Sequence, residues 1–228
     1  IIFLISNFYF FLLVKDRFNN IYWGILGALF LYLSPRIFAH SFYNYKDLLF
    51  LSLSIINLYY ALKFLEKPNT TILILFSLFT ALSVDTRIMG IFLPFVIILF
   101  SYINYLRKSD NKIIIYLIYY IILTTFLIIL FWPFLWESPL TNFISGFKAF
   151  SDFFWNGMSL YFGQYIPPSN LDWHYTFVWI GITTPIFYLI LFFLGLIAII
   201  LRLKSRLFRI TNNDSLNDLW RGEKELKD

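Results

Sequence analysis

The sequence predicts an all-α, polytopic transmembrane helical bundle of about seven spans, the first of them truncated. Three observations predict it. Of 228 residues, 60% are hydrophobic, only 14% are charged and 23% are aromatic. A soluble domain of this size cannot bury so much apolar surface. The apolar residues fall in continuous runs rather than amphipathic periods, as in helices surrounded by lipid. The basic residues collect on alternate connections between those runs. The same composition excludes a disordered chain, a coiled coil and a disulfide-stapled scaffold. The absence of Cys removes Cys-ligated zinc, iron–sulfur clusters and thiol chemistry. The net charge of +5 is explained by basic flanks on membrane helices, so no nucleic-acid partner is expected.

A span needs about 20 mostly apolar residues. Seven segments qualify: 1–14, 21–35, 48–65, 71–84, 88–106, 113–134 and 177–201. The first is short and is expected to be cut. The fourth is the weakest and reaches spanning length only if it starts near Lys67. The opening run carries no initiator Met and no basic region, unlike a signal peptide. The sequence is therefore expected to be an internal fragment of a longer membrane protein. Residues 1–201 are expected to form one transmembrane domain and 202–228 a cytoplasmic, basic and charged segment. No internal repeat is visible.

The charges test the count. If the seven segments alternate, 14 of the 18 Lys and Arg fall on one side, among them Lys15, Lys63, Lys67, Arg107 and Arg202. Arg36, Lys46, Arg87 and Lys148 fall on the other. That asymmetry follows the positive-inside rule, which makes the basic side cytoplasmic. Three stretches then face outward: 34–47, 85–87 and 137–176. In the last of these, residues 141–155 predict an interfacial helix with Thr141 or Asn142 as its cap. Phe143, Phe147, Phe150 and Phe154 form one face and Lys148 lies opposite.

Chemistry-bearing residues gather on the outward side. The first stretch holds Arg36, His40, Asn44, Lys46 and Asp47. Arg36 and Lys46 suit lipid phosphates. Asp47 would be repelled by them and needs a partner, a role, or the dipole of the helix it begins. The second holds Asp85 and Arg87 between close apolar flanks, where an ionisable side chain is costly and functional by default. A local Asp85–Arg87 pair is the plainer alternative. The third runs from Asn156-Gly157 to Asp172-Trp173-His174-Tyr175. Its Asn-Gly and Pro-Pro steps predict loop rather than strand. Trp173, His174 and Tyr175 also suit an aromatic belt. His40 and His174 are candidate metal ligands, with nothing further in the sequence to complete a site.

These residues carry a resemblance. Ser34-Pro35-Arg36-Ile37-Phe38 through Asn44-Tyr45-Lys46-Asp47, then Asp85-Thr86-Arg87 and Trp132-Pro133-Phe134-Leu135-Trp136, follow one another in order. Trp155-Asn156-Gly157 and Asp172-Trp173-His174-Tyr175, with Trp179-Ile180-Gly181-Ile182-Thr183-Thr184-Pro185, complete the series. Together they resemble the bacterial branch of the dolichyl-phosphate-mannose protein mannosyltransferase-like enzymes (glycosyltransferase family 39). These are membrane glycosyltransferases of the GT-C fold, related to the aminoarabinose transferase of lipid A.

The resemblance implies a transferase that moves a hexose or mannose-like sugar from a polyprenyl-phosphate donor. The acceptor would be a protein or glycolipid on the outer face of the plasma (inner) membrane. In that family the general base is an acid in the first external loop, expected to lie before residue 1, so no catalytic base is assigned here. Positions matching Asp47 and Arg87 line the donor cavity. Asp85, His40, Trp173, His174 and Tyr175 complete the expected donor and substrate site. A divalent ion beside Asp47 is the candidate cofactor.

Elementary chemistry agrees. A departing lipid phosphate gains negative charge at the membrane boundary and calls for a fixed cation there. The alternative is a polytopic transporter or lipid flippase. That class places polar residues and broken helices near the midplane of paired segments.

Overall fold

The computed structural model describes residues 1–108, 111–152 and 157–208. The chain forms two compact units, Ile1–Phe153 and Phe154–Asp228.

In the first unit, α1 (Ile2–Phe18) runs four residues past the apolar run. It stops at Asn19, whose left-handed φ of 49° closes the helix beside Lys15 and Arg17. Asn20 then caps α2 (Ile21–Leu33), accepting from the Tyr22 amide at 2.8 Å. The second segment, expected to end at Pro35, ends as a helix at Leu33. Pro35 lacks an amide hydrogen and holds Ser34 out of the helical region (ψ 113°), so the chain bends by 58° into α3 (Pro35–Tyr43). The outward stretch 34–47 is thus mostly helix.

Asn44 caps α4 (Tyr45–Glu66), and Asn69 caps α5 (Thr70–Thr86) by accepting from Ile72 at 2.9 Å. A 3-10 turn, Ile88–Ile91, leads into α6 (Phe92–Lys108), followed by α7 (Asn111–Phe131). The unit ends with α8 (Pro139–Ser151). Ser138 is the cap of α8 and Pro139 its first residue, not Thr141 or Asn142. The Asn142 amide instead donates to the Phe134 carbonyl at 2.6 Å. Along α8, Phe143 meets Trp132 edge-on at 6.3 Å, while Phe147, Phe150 and Lys148 are exposed. Phe154 and Trp155 lie outside the described residues.

The core of this unit lies where α4, α5, α6 and α7 pack, around Phe64, Phe76, Ile97 and Tyr120. Phe76 and Tyr120 stack with centroids 4.3 Å apart and planes 4° from parallel. A polar layer crosses the same core. Thr80 Oγ1 donates to Asn57 Oδ1 at 3.0 Å and must therefore accept from Tyr120 Oη, also at 3.0 Å. Helix α1 is tied to α4 by paired Tyr9 and Tyr60 hydroxyls (2.8 Å) and by Lys63–Asp16 (2.9 Å).

The second unit begins with a hairpin, Ser159–Tyr161 against Gln164–Ile166 (β1 and β2). This corrects the loop expected there. Phe162 (φ 47°) and Gly163 (φ 80°) form a two-residue turn with both φ positive, the geometry that matches strand twist. Next comes α9 (Tyr175–Thr183), then a bend of 117° at Thr184-Pro185 into α10 (Ile186–Phe208). The seventh segment is therefore broken, for the same reason as the second. Of the charged segment 202–228, residues 209–228 lie outside those described.

Among the described residues, two helices are long and apolar enough to cross a membrane: α4, and Lys112–Phe131 within α7. The number rises to four if each bent pair counts as one span. Helix α5 and Ile88–Tyr102 are apolar but shorter.

Candidate functional site

The site in the first unit is built from the ends of three helices. Asn44 places Asp47 in the first turn of α4, where a carboxylate faces the positive end of the helix dipole. At the end of α5, Arg87 leaves the helix in extended conformation (φ −149°, ψ 125°). The turn after it folds back so tightly that a Cβ on Gly90 would sit 2.6 Å from the Ser83 carbonyl carbon. Only glycine permits that approach, and it holds Arg87 at the helix end.

Arg87 Nη2 donates to Asp47 Oδ1 across 40 residues of sequence. Among the described residues this is the only ion pair of Arg87. Both side chains remain partly open, Arg87 at 39% and Asp47 at 58% relative exposure. In water such a pair adds little stability, about 0–1 kcal/mol. Its interest is that it holds a cation at a helix end with guanidinium donors to spare. The second Asp47 oxygen, Oδ2, accepts from Asn44 Nδ2 at 2.9 Å. The same Nδ2 lies 2.8 Å from His40 Nδ1 on α3. Arg36, His40, Asp47, Leu48 and Leu51 line a cavity of about 210 Å³ beside them.

Asp85 stands apart. Both its oxygens are shielded from solvent and neither has a hydrogen-bond partner. The local Asp85–Arg87 pair is not formed, because Arg87 turns to α4 instead.

Trp173, His174 and Tyr175 belong to the second unit, where His174 and Tyr175 meet Tyr161 of the hairpin. Tyr161 is buried there, with Tyr175 edge-on at 5.1 Å and His174 at 5.9 Å. Burial and the nearby Asp172 carboxylate push the Tyr161 phenol up from its ordinary pKa. His174 lies 3.8 Å from Asp172, and Trp173 is 84% exposed.

A divalent ion finds no cradle in these residues. Among the described residues no three His, Asp or Glu side chains converge. Both Asp47 oxygens already accept from Arg87 and Asn44, which leaves no oxygen set aimed at a metal.

Reading the residues alone assigned Asn44 no role of its own. The signal was present: an Asn three residues before an Asp at the start of an apolar helix is a capping arrangement.

The model of the dolichyl-phosphate-mannose-protein mannosyltransferase family matches residues 1–132. The matched stretch holds His40, Asn44, Asp47, Asp85 and Arg87, and ends before Trp173. No curated protein and no solved structure matches the chain. The family match covers more than half of the sequence and includes the whole α3–α4–α5 site. The chain belongs to the dolichyl-phosphate-mannose-protein mannosyltransferase family, a family of membrane glycosyltransferases.

Proposed function

We propose that the chain carries the donor site of a transferase. It moves a hexose or mannose-like sugar from a polyprenyl phosphate to a protein or glycolipid acceptor at the non-cytoplasmic face of the plasma (inner) membrane. The observation that carries this reading is the Arg87–Asp47 pair, a cation fixed at the ends of two apolar helices. In the reaction an acceptor oxygen bonds to the anomeric carbon while the bond from that carbon to the phosphate oxygen breaks. The acceptor proton passes to a base, and the lipid phosphate leaves with the bonding electrons. Charge grows on that phosphate, and Arg87 is the group to meet it. Asp47 balances Arg87 while the site is empty. A buried or half-buried guanidinium without a counter-charge would be costly.

Seven membrane crossings go with this reading. The alternation of basic and plain connections supports them, with α2–α3 and α9–α10 each serving as one broken span. The same alternation makes the connection that carries Trp173, His174 and Tyr175 non-cytoplasmic, and their rings suit a sugar face. The two broken pairs are also what a transporter would use. The assay must therefore separate transfer from transport.

Vesicles holding the full-length protein and a polyprenyl phosphate carrying radiolabelled sugar should move label from carrier to protein or glycolipid. Label that crosses the bilayer while still on its carrier would favour the flippase.

A further inference from the structure

Asn44 sits where three parts of the site meet. Its Oδ1 accepts the Asp47 amide at 3.2 Å and so caps α4. That bond settles the orientation of the side-chain amide: Nδ2 is left to donate, and it has two hydrogens. One goes to Asp47 Oδ2 at 2.9 Å and the other to His40 Nδ1 at 2.8 Å. His40 therefore accepts at Nδ1, and its ring proton sits on Nε2. Asp47 in turn is held at both oxygens, by Asn44 at one and Arg87 at the other. A carboxylate gripped at one oxygen can turn about its Cβ–Cγ bond. Gripped at both, it cannot.

We infer that Asn44 is a positioning residue for the phosphate-binding arginine, an inference that rests on the proposed role of Arg87. His40 anchors Asn44, Asn44 fixes the plane of the Asp47 carboxylate, and Asp47 fixes Arg87 through Nη2. Nη1 and Nε of Arg87 make no other ion pair among the described residues, so they remain for the oxygens of a polyprenyl phosphate. The chain His40–Asn44–Asp47–Arg87 thus links α3, α4 and the end of α5 in one line of hydrogen bonds. A guanidinium oriented in advance loses less freedom when the anion arrives.

The rival explanation is that Asn44 only caps α4. Asn44→Ser and Asn44→Thr separate the two, since both keep an oxygen for the cap and neither can bridge Asp47 to His40. The full-length protein in lipid nanodiscs is titrated with a polyprenyl phosphate, and thermal unfolding is followed in parallel. Both variants should unfold at the wild-type temperature yet bind about tenfold more weakly, the effect of one lost charge-assisted hydrogen bond. In an Asp47→Ala background, Asn44→Ser should cost nothing further, because its grip has nothing left to hold.

Wild-type affinity in both Asn44 variants, with Arg87→Ala still weakening binding, would overturn the positioning role and leave the role of Arg87 intact. Losses that add fully in the Asp47→Ala background would overturn it as well. If Arg87→Ala itself binds as tightly as wild type, the phosphate reading falls, and the positioning role falls with it.

Discussion

Asp47 begins α4 with each carboxylate oxygen bonded, one to Arg87 and one to Asn44. Asp85, in the last turn of α5, has neither oxygen bonded nor open to solvent. One residue type meets two environments, and the difference decides what each can do. Asp47 acts as a fixed anion. Asp85 is a buried polar group with no compensation, the kind of residue that persists where a function needs it. Asn has the same shape and less to lose on burial. Asp85→Asn should therefore leave stability unchanged or raise it by about 1 kcal/mol, measured by thermal unfolding in detergent. A loss of stability would mean that Asp85 has a partner in the full protein. Unchanged stability with lost transfer would assign chemistry to the carboxyl group.

At the level of the elements, the polar layer Tyr120–Thr80–Asn57 joins α7, α5 and α4 through the middle of their packed core. Between helices in lipid, such bonds are part of what selects one packing over another. Thr80→Val keeps the volume and removes both bonds, leaving Asn57 Oδ1 without its donor. The expected cost is about 1–2 kcal/mol, at the upper end for interhelical hydrogen bonds in membranes. Unfolding in a denaturing detergent measures it, and no change would show that the layer is incidental.

The helices were legible because continuous apolar runs leave the backbone only one way to satisfy itself in lipid. Their breaks were not. Ser34-Pro35 and Thr184-Pro185 look like ordinary proline positions at or within an apolar run, and membrane helices tolerate proline. Whether the chain bends there depends on what packs beside it. The hairpin escaped for another reason. Each strand is three residues long, too short for alternation to show, and Phe162 is an uncommon choice for a positive-φ turn. In the site, burial cost singled out Asp85 and Arg87, and repulsion by lipid phosphates singled out Asp47. That Arg87 lies near Asp47 was legible from both sitting at outward helix ends that line one cavity, and the packing of α5 on α4 brings them into contact. Asn44 lay in the motif, and its bridging bonds exist only once α3 and α4 meet.

For the whole molecule, charge and chemistry make the same demand. If the basic connections are cytoplasmic, the Asn44–Asp47–Arg87 end of the bundle must face the other way. The sugar-transfer reading needs it there, where a lipid phosphate and an external acceptor meet. Helix α4 offers the most direct test. Its 22 residues extend about 33 Å at 1.5 Å per residue, enough to cross the roughly 30 Å hydrocarbon core. Lys46 beside Asp47 and Lys67 just beyond Glu66 are exposed at its two ends. These 228 residues contain no Cys, so a single introduced thiol in this region reports without competition from its neighbours. In intact cells, a membrane-impermeant maleimide should label Lys46→Cys directly and reach Lys67→Cys only after permeabilisation. Labelling of Lys67→Cys from outside, with Lys46→Cys protected, would put the site on the cytoplasmic face and contradict the account.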